Sequence, residues 1–152
     1  MQILVALDES PYCDAVIRMI IDEMKRADIT LHLLHIVDPF PTKLAEAKGS
    51  EEYPDYAAGR HEEVEDADRL LQRAAARLRD AGFKITSVIR EGDPLISILA
   101  EAAVSRADLI VLGSHRRTGF KRLFTESLSA AIVRQAPCSV EIVRIPPGKK
   151  VA

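Results

Sequence analysis

The sequence alternates between short apolar runs and longer amphipathic stretches, and this alternation is the feature that most constrains the fold. The apolar runs predict five strands, at residues 2–7, 29–37, 83–91, 108–113 and 138–145. The stretches between them repeat apolar residues at helical spacing. Strands that alternate with helices imply a parallel sheet with helices on both faces. The sequence therefore predicts an α/β fold, in which an open, doubly wound sheet has five parallel strands.

Local signals mark where three of the predicted helices begin. Ser10 and Pro11 are suited to the N-cap and the first position of helix one, and Asp93 and Pro94 to the same positions of helix three. Ser127 precedes the apolar residues of helix four. These residues predict helices that start just beyond the carboxyl ends of strands.

The chain between strands two and three is the least regular part of the sequence. Residues 39–60 combine early prolines with an acidic segment, and we leave open whether they form a functional lid or a surface loop. A long helix is predicted at residues 61–81, and Gly82 is its expected C-terminal stop.

Composition indicates one ordinary globular domain. The 152 residues, 47% hydrophobic and 29% charged, are assigned to a domain at residues 1–146 and a short tail at residues 147–152. The net charge of −2 offers no broad basic surface for nucleic acid. No apolar run approaches the ~20 residues that span a bilayer. With no signal peptide recognised at the start, we expect a cytoplasmic protein without a membrane or nucleic-acid partner.

The cysteines and histidines do not form a metal-binding pattern. Cys13 and Cys138 are expected to be two reduced thiols at opposite rims of the sheet. His32 and His35 fall in strand two and point to opposite faces, where we expect packing or hydrogen bonding rather than metal ligation.

Three candidate positions lie at the carboxyl ends of strands, where open parallel sheets bind their ligands. Asp8 comes at the end of strand one, Val37 and Asp38 at the end of strand two, and Gly113 at the end of strand four. If strands one and four are neighbours, Asp8 and Gly113 line the same crevice.

Four segments make the chain resemble the universal stress protein (UspA-like) family over nearly its whole length. They read ILVALDES, LLHIVDP, EGDPLISILAEA and ADLIVLGSHRRTGFKRLFTESLSAAIVRQAPCSVEIV. The resemblance implies the strand order 3-2-1-4-5. It also implies a homodimer formed through strand five, with Val140 and Ile142 at the contact.

The resemblance further implies an adenine-nucleotide site. The nucleotide-binding branch of the family carries the pattern G-x-x-G, nine residues, then G-[ST]; this sequence has Gly113 and Ser127 but Arg116 and Glu126 in place of the second and third glycines. By this resemblance the ligand contacts are Ala6, Asp8, Val37, Leu112, Gly113, His115, Arg116, Ser127 and Leu128. The base end of the site is retained, with ATP or AMP as the possible ligands, and the phosphate end is changed.

The two substitutions predict a degraded phosphate loop. Glycine permits positive φ and lets backbone N–H groups approach a phosphate. Arg116 adds bulk but can still bind phosphate as a cation. Glu126 adds a carboxylate just before helix four, where a helix N-terminus already favours negative charge. We hypothesise that Glu126, paired with Arg116 or Arg117, substitutes for a β- or γ-phosphate.

Two functions remain open at the level of the sequence. The first is a non-enzymatic stress-response module whose adenine-nucleotide-type crevice binds ATP weakly or not at all. The alternative is a functional ATP- or AMP-binding stress protein that signals through a homodimer. An enzyme, at most a weak ATPase, is disfavoured because the sequence shows no Walker A lysine, no recognisable general base and no metal-binding triad.

Overall fold

Five parallel strands form the centre of the molecule in a computed structural model, which describes residues 1–24, 28–37, 56–114 and 127–144. The strands are β1 Gln2–Ala6, β2 Thr30–Val37, β3 Lys84–Glu91, β4 Leu109–Ser114 and β5 Ser139–Arg144. The helices are α1 Tyr12–Glu23, α2 Tyr56–Asp80, α3 Pro94–Val104 and α4 Leu128–Gln135. The order along the sheet is β3-β2-β1-β4-β5. The predicted fold class and strand order are confirmed.

The two faces of the sheet carry two separate apolar cores. Successive residues of a strand point to opposite faces, so Ile3 and Val5 of β1 pack beneath α1 and α2 while Leu4 packs beneath α3 and α4. All three side chains are at most 1% exposed. β1 is therefore covered on both faces, as expected for a continuous apolar run in a parallel sheet.

Three predicted helix ends are confirmed. The Asp93 carboxylate accepts a hydrogen bond from the Ile96 N–H at 3.0 Å, with Pro94 at the first helical position. The Ser127 hydroxyl accepts from the Ala130 N–H at 3.3 Å and caps α4. Gly82 follows α2 with φ +94°, a conformation that a residue without Cβ adopts at little cost.

The predicted cap of α1 is wrong. The N-cap of this helix is Pro11, which has helical dihedral angles and makes no side-chain cap hydrogen bond. Ser10 is drawn instead toward the preceding turn, because its hydroxyl and its N–H both donate to Asp8 Oδ1. The Ser10 carbonyl still accepts the first bond of the helix, from the Cys13 N–H at 3.1 Å.

The start of α2 also differs from the prediction. The helix begins at Tyr56, so residues 56–60, which were assigned to the irregular segment, are helical. The remainder of that segment lies outside the described residues. α1 ends at Glu23.

The histidines and cysteines are placed as predicted. The His35 ring is 9% exposed and its Nδ1 lies 2.9 Å from the Leu7 carbonyl oxygen. His32 points to the other face, toward α3. Cys13 and Cys138 are free thiols and pack against different cores. No described helix combines the length and apolarity needed to cross a bilayer.

Candidate functional site

The carboxyl ends of β1 and β4 lie side by side at the point where the strand order reverses. Ala6 is in register with Leu112 of β4 on one side and with Leu34 of β2 on the other. From β1 the chain enters α1 on one face of the sheet, whereas α4, which follows β4 in the chain, packs on the opposite face. In an open parallel sheet, helices that lie on opposite faces beyond two neighbouring strand ends leave a crevice between those ends, which is the usual ligand site. Ala6 and Leu112 are neighbours at these strand ends, and their contact with a ligand stays a prediction.

Asp8 forms a tight turn at the exit of β1. Its Oδ1 accepts the Ser10 N–H at 3.1 Å and the Ser10 hydroxyl, and the Ser10 hydroxyl oxygen accepts the Tyr12 N–H at 3.3 Å. An Asp side chain that binds the backbone two residues ahead stabilises such a turn. The half-buried carboxylate of Asp8 is therefore held in one place at the rim of the sheet.

The residue before Asp8 is anchored to β2 by two hydrogen bonds. The Leu7 N–H donates to the Leu34 carbonyl at 2.9 Å, and the Leu7 carbonyl oxygen lies 2.9 Å from Nδ1 of the buried His35. The second contact is a hydrogen bond when that ring nitrogen carries its proton. β2 thus fixes the position from which the Asp8 turn begins, a role for His35 that the sequence did not reveal.

Gly113 has a packing role that the sequence analysis missed. A Cβ atom at this position would lie 2.9 Å from the Cβ of Tyr12 and 3.6 Å from a methyl group of Val16. The first turn of α1 therefore approaches β4 more closely than any side chain at position 113 would allow. This contact explains the glycine independently of a phosphate, since glycines also serve close helix–strand packing in nucleotide-binding sheets.

Val37 offers its backbone rather than its side chain at the end of β2. The side chain is 7% exposed, and the carbonyl oxygen accepts the Gly92 N–H at 3.3 Å. Because Leu34 is in register with Ala6, β2 continues three residues beyond the last residue of β1. Val37 therefore forms a wall above the crevice. The expected contact between its backbone and an adenine base stays a prediction.

Ser127 and Leu128 begin α4. The Ser127 hydroxyl accepts the Ala130 N–H and lies 3.2 Å from the Ser129 hydroxyl oxygen, and Leu128 is 42% exposed. Because β4 and β5 are parallel, a helix that connects them starts at the carboxyl end of β4. The N-terminus of α4 consequently belongs to the same rim as Gly113. The N–H groups of its first turn suit an anion.

The remaining predicted site residues, His115 and Arg116, lie outside the described residues, as do Asp38, Arg117 and Glu126. The hypothesis that Glu126 replaces a phosphate therefore stays a hypothesis.

A buried charge lies away from the crevice, on the face covered by α3. Glu101 is 5% exposed; its Oε1 accepts from His32 Nε2 at 2.8 Å, and its Oε2 accepts from Arg90 Nε at 2.7 Å. Burial alone would raise the pKa of the Glu101 carboxyl, but the bonds from Arg90 and His32 outweigh it and lower the pKa below its usual range. His32 Nδ1 lies 2.7 Å from the Thr86 hydroxyl oxygen. No local sequence pattern signals this cluster, because its members come from three different elements.

The architecture described so far has a known counterpart. A model of the universal stress protein family matches residues 1–144. The chain belongs to the universal stress protein family. Universal stress protein A homolog 2 of Coxiella burnetii is 31% identical over an alignment of 153 residues. The alignment covers 95% of this chain and 94% of that protein.

Solved structures of the family share the fold. A universal stress protein family protein of Arabidopsis thaliana, solved with AMP bound, superimposes with a TM-score of 0.67 at 20% identity, covering 98% of this chain and 94% of that one. The universal stress protein of Archaeoglobus fulgidus, solved in complex with dAMP, gives a TM-score of 0.64 at 19% identity, covering 94% and 97% of the two chains. The family and the strand order that the sequence implied are both confirmed.

Proposed function

We propose that this protein is a non-enzymatic stress-response module that binds an adenosine monophosphate-type ligand in the β1–β4 crevice and binds ATP weakly or not at all. The observation that carries the proposal is the Asp8 turn. It places a carboxylate, held by Ser10, at the switch point of the sheet. A carboxylate is acceptor-only and suits the paired hydroxyls of a ribose.

Two family members support the choice of ligand. The Arabidopsis protein was solved with AMP and the Archaeoglobus protein with dAMP. Each ligand joins an adenine base to a single phosphate. In this chain the base would lie under the backbone of Val37 and the sugar beside Asp8.

The sequence at the phosphate end supports discrimination against a triphosphate. Arg116 and Glu126 stand where the nucleotide-binding branch has glycine, and Glu126 directly precedes the N-cap residue Ser127. A carboxylate near the start of α4 competes with a β- or γ-phosphate for the same N–H groups and repels it. A single phosphate nearer the sugar is affected less, and Arg116 adds a cation that favours it.

The proposal includes a homodimer, in which the partner is a second copy of this chain. Among the strands that the structure describes, β5 pairs only with β4, so no described strand covers its other edge. Val140 and Ile142 on this edge strand are only partly buried. An uncovered apolar sheet edge tends to pair with another chain. Two-fold pairing of β5 with β5 of a second copy would cover this edge.

Asp8 substitution tests the ligand site. In Asp8→Ala we expect AMP affinity, measured by isothermal titration calorimetry, to fall at least about tenfold, because a charge-assisted acceptor is lost. Ser10→Ala is the matched control, since it removes the hydroxyl that bonds Asp8 but keeps the carboxylate, and should cost less than Asp8→Ala. Unchanged AMP binding by Asp8→Ala, with the fold intact by circular dichroism, would contradict the proposed site.

A further inference from the structure

An open cleft separates α1 from α2 on the face of the sheet opposite α3 and α4. Its volume is about 600 Å³, within the range that holds small organic ligands. We call it the α1–α2 cleft. Its floor is apolar: Cys13 and Ile17 face it from α1, and Leu70 and Ala74 face it from α2. Ile17 and Ala74 are each 2% exposed, so the floor is part of the folded core.

One wall of the α1–α2 cleft is a row of three arginines. Arg69, Arg73 and Arg77 follow one another at intervals of four residues along α2, so their side chains rise from the same side of the helix. Arg69 bonds Asp66 and Arg77 bonds Asp14. In the part of the chain that the structure describes, Arg73 makes no ion pair.

The central arginine is therefore the one cation of the row that is available to a ligand within the described residues. It lies one helical turn from each of the two arginines held by ion pairs, and it lines the cleft with a guanidinium that carries five donors. A guanidinium in this position matches a carboxylate or phosphate, which it can hold by two parallel hydrogen bonds.

The Cys13 thiol in the floor of the cleft adds no negative charge that would repel a bound anion. Burial, with smaller contributions from Asp14 and Asp8, raises the pKa of Cys13 to about 11. The thiol is consequently protonated and neutral at pH 7, and Cys13 contributes an apolar surface rather than a negative charge or a nucleophile. The cleft thus combines an apolar floor with one available guanidinium.

We propose that the α1–α2 cleft is a second ligand site, separate from the β1–β4 crevice, which binds a small organic anion with an apolar body. The body lies on Ile17, Leu70 and Ala74, and the carboxylate or phosphate group pairs with Arg73. The proposal does not depend on nucleotide binding in the crevice. Three carboxylates and Ser10 also line the cleft: Asp66 and Asp14 are paired with Arg69 and Arg77, and Glu9 is exposed.

The probe for this site is anilinonaphthalene sulfonate, an aromatic anion that fluoresces in apolar surroundings. Fluorescence titration of the wild-type protein should show saturable binding of one probe per chain. Arg73→Gln should weaken that binding about tenfold, because a charge-assisted bidentate contact is lost. Arg79→Gln, which removes an exposed arginine of α2 outside the cleft, is the matched control and should stay within about twofold of wild type.

Two further measurements test whether the contact between Arg73 and the probe is ionic and whether the probe lies in the α1–α2 cleft. Phenylnaphthylamine, which has the same rings without the sulfonate, should bind equally to wild type and Arg73→Gln. Methyl resonances of Ile17 and Leu70 should shift when anilinonaphthalene sulfonate is added, and those of the exposed Ile96 and Val104 should not. Glu9→Gln should leave affinity unchanged or raise it.

Three results would overturn the proposal. The first is wild-type affinity in Arg73→Gln, and the second is methyl shifts at Ile96 or Val104 in place of Ile17 and Leu70. The third is displacement of the probe by AMP, which would make the cleft and the crevice one site. If AMP fails to bind anywhere while the probe binds as described, the proposed function fails and the second site stands.

Discussion

At the scale of single residues, the end of β4 depends on the absence of a side chain at Gly113. Gly113 lacks the Cβ that would collide with Tyr12 at 2.9 Å. Gly113→Ala should therefore lower the free energy of unfolding by about 1–3 kcal/mol, the usual range for overpacking at a tight contact. Urea unfolding, followed by circular dichroism, measures this change.

The Gly113 prediction has an internal control. In a Tyr12→Gly background the opposing Cβ is absent, so the same Gly113→Ala substitution should cost measurably less. Equal costs in the two backgrounds would show that the Tyr12 contact is not the reason for this glycine.

Asp8 and Ser10 show where residue-level prediction succeeds and fails. The position of Asp8 at a strand end could be predicted, because an apolar run followed by an acidic residue is a local pattern. The geometry of Ser10 could not, because its hydroxyl donates to Asp8 and also accepts the Tyr12 N–H at the start of α1. A sequence pattern identifies each partner as a candidate but does not show that one hydroxyl bonds both.

At the scale of elements, α3 is tied to β2 and β3 by the Glu101 carboxylate. Glu101→Gln should cost about 1.5–3 kcal/mol of unfolding free energy at pH 7, because the bonds to Arg90 and His32 lose their charge. Glu65→Gln changes an exposed carboxylate that lies 3.0 Å from the His61 ring and should cost less than about 0.5 kcal/mol. Equal costs for the two variants would contradict the role given to Glu101.

The Glu101 contribution should also depend on pH. Its pKa in the folded protein lies below the ordinary value of 4.5, so the unfolded chain takes up a proton at higher pH than the folded one. The stabilisation is complete above about pH 4.5 and is lost as the pH falls through the folded pKa. Urea titrations from pH 6 down to about pH 3 should show a shallower decline in Glu101→Gln than in wild type.

Elements differ in how well the sequence predicts them. The strands, the Asp93 cap, the start of α4 at Ser127 and the Gly82 stop depend on neighbours within a few residues, and all were predicted correctly. The Glu101–His32 bond joins residues 69 positions apart, and the Gly113–Tyr12 contact joins β4 to α1. Such contacts depend on how elements pack against one another, which local patterns do not encode.

At the scale of the whole molecule, we predict a homodimer because no described strand covers the outer edge of β5. Val140→Lys would place a charge in the paired edge and should shift the protein from dimer toward monomer in sedimentation experiments. Val133→Lys is the control, because Val133 is 53% exposed on α4 and its replacement should leave the dimer intact. A dimer that survives Val140→Lys, in a protein that still unfolds cooperatively, would contradict pairing through β5.

The central claim concerns the whole crevice, which we propose accepts a monophosphate and excludes a triphosphate. Calorimetric titration of the wild-type protein and of an Arg116→Gly, Glu126→Gly double variant with AMP and with ATP tests it most directly. We predict that wild type binds AMP at least about tenfold more tightly than ATP, because Glu126 repels the outer phosphates, and that the double variant gains about tenfold in ATP affinity. Tight ATP binding by the wild-type protein, unchanged in the double variant, would contradict the proposal.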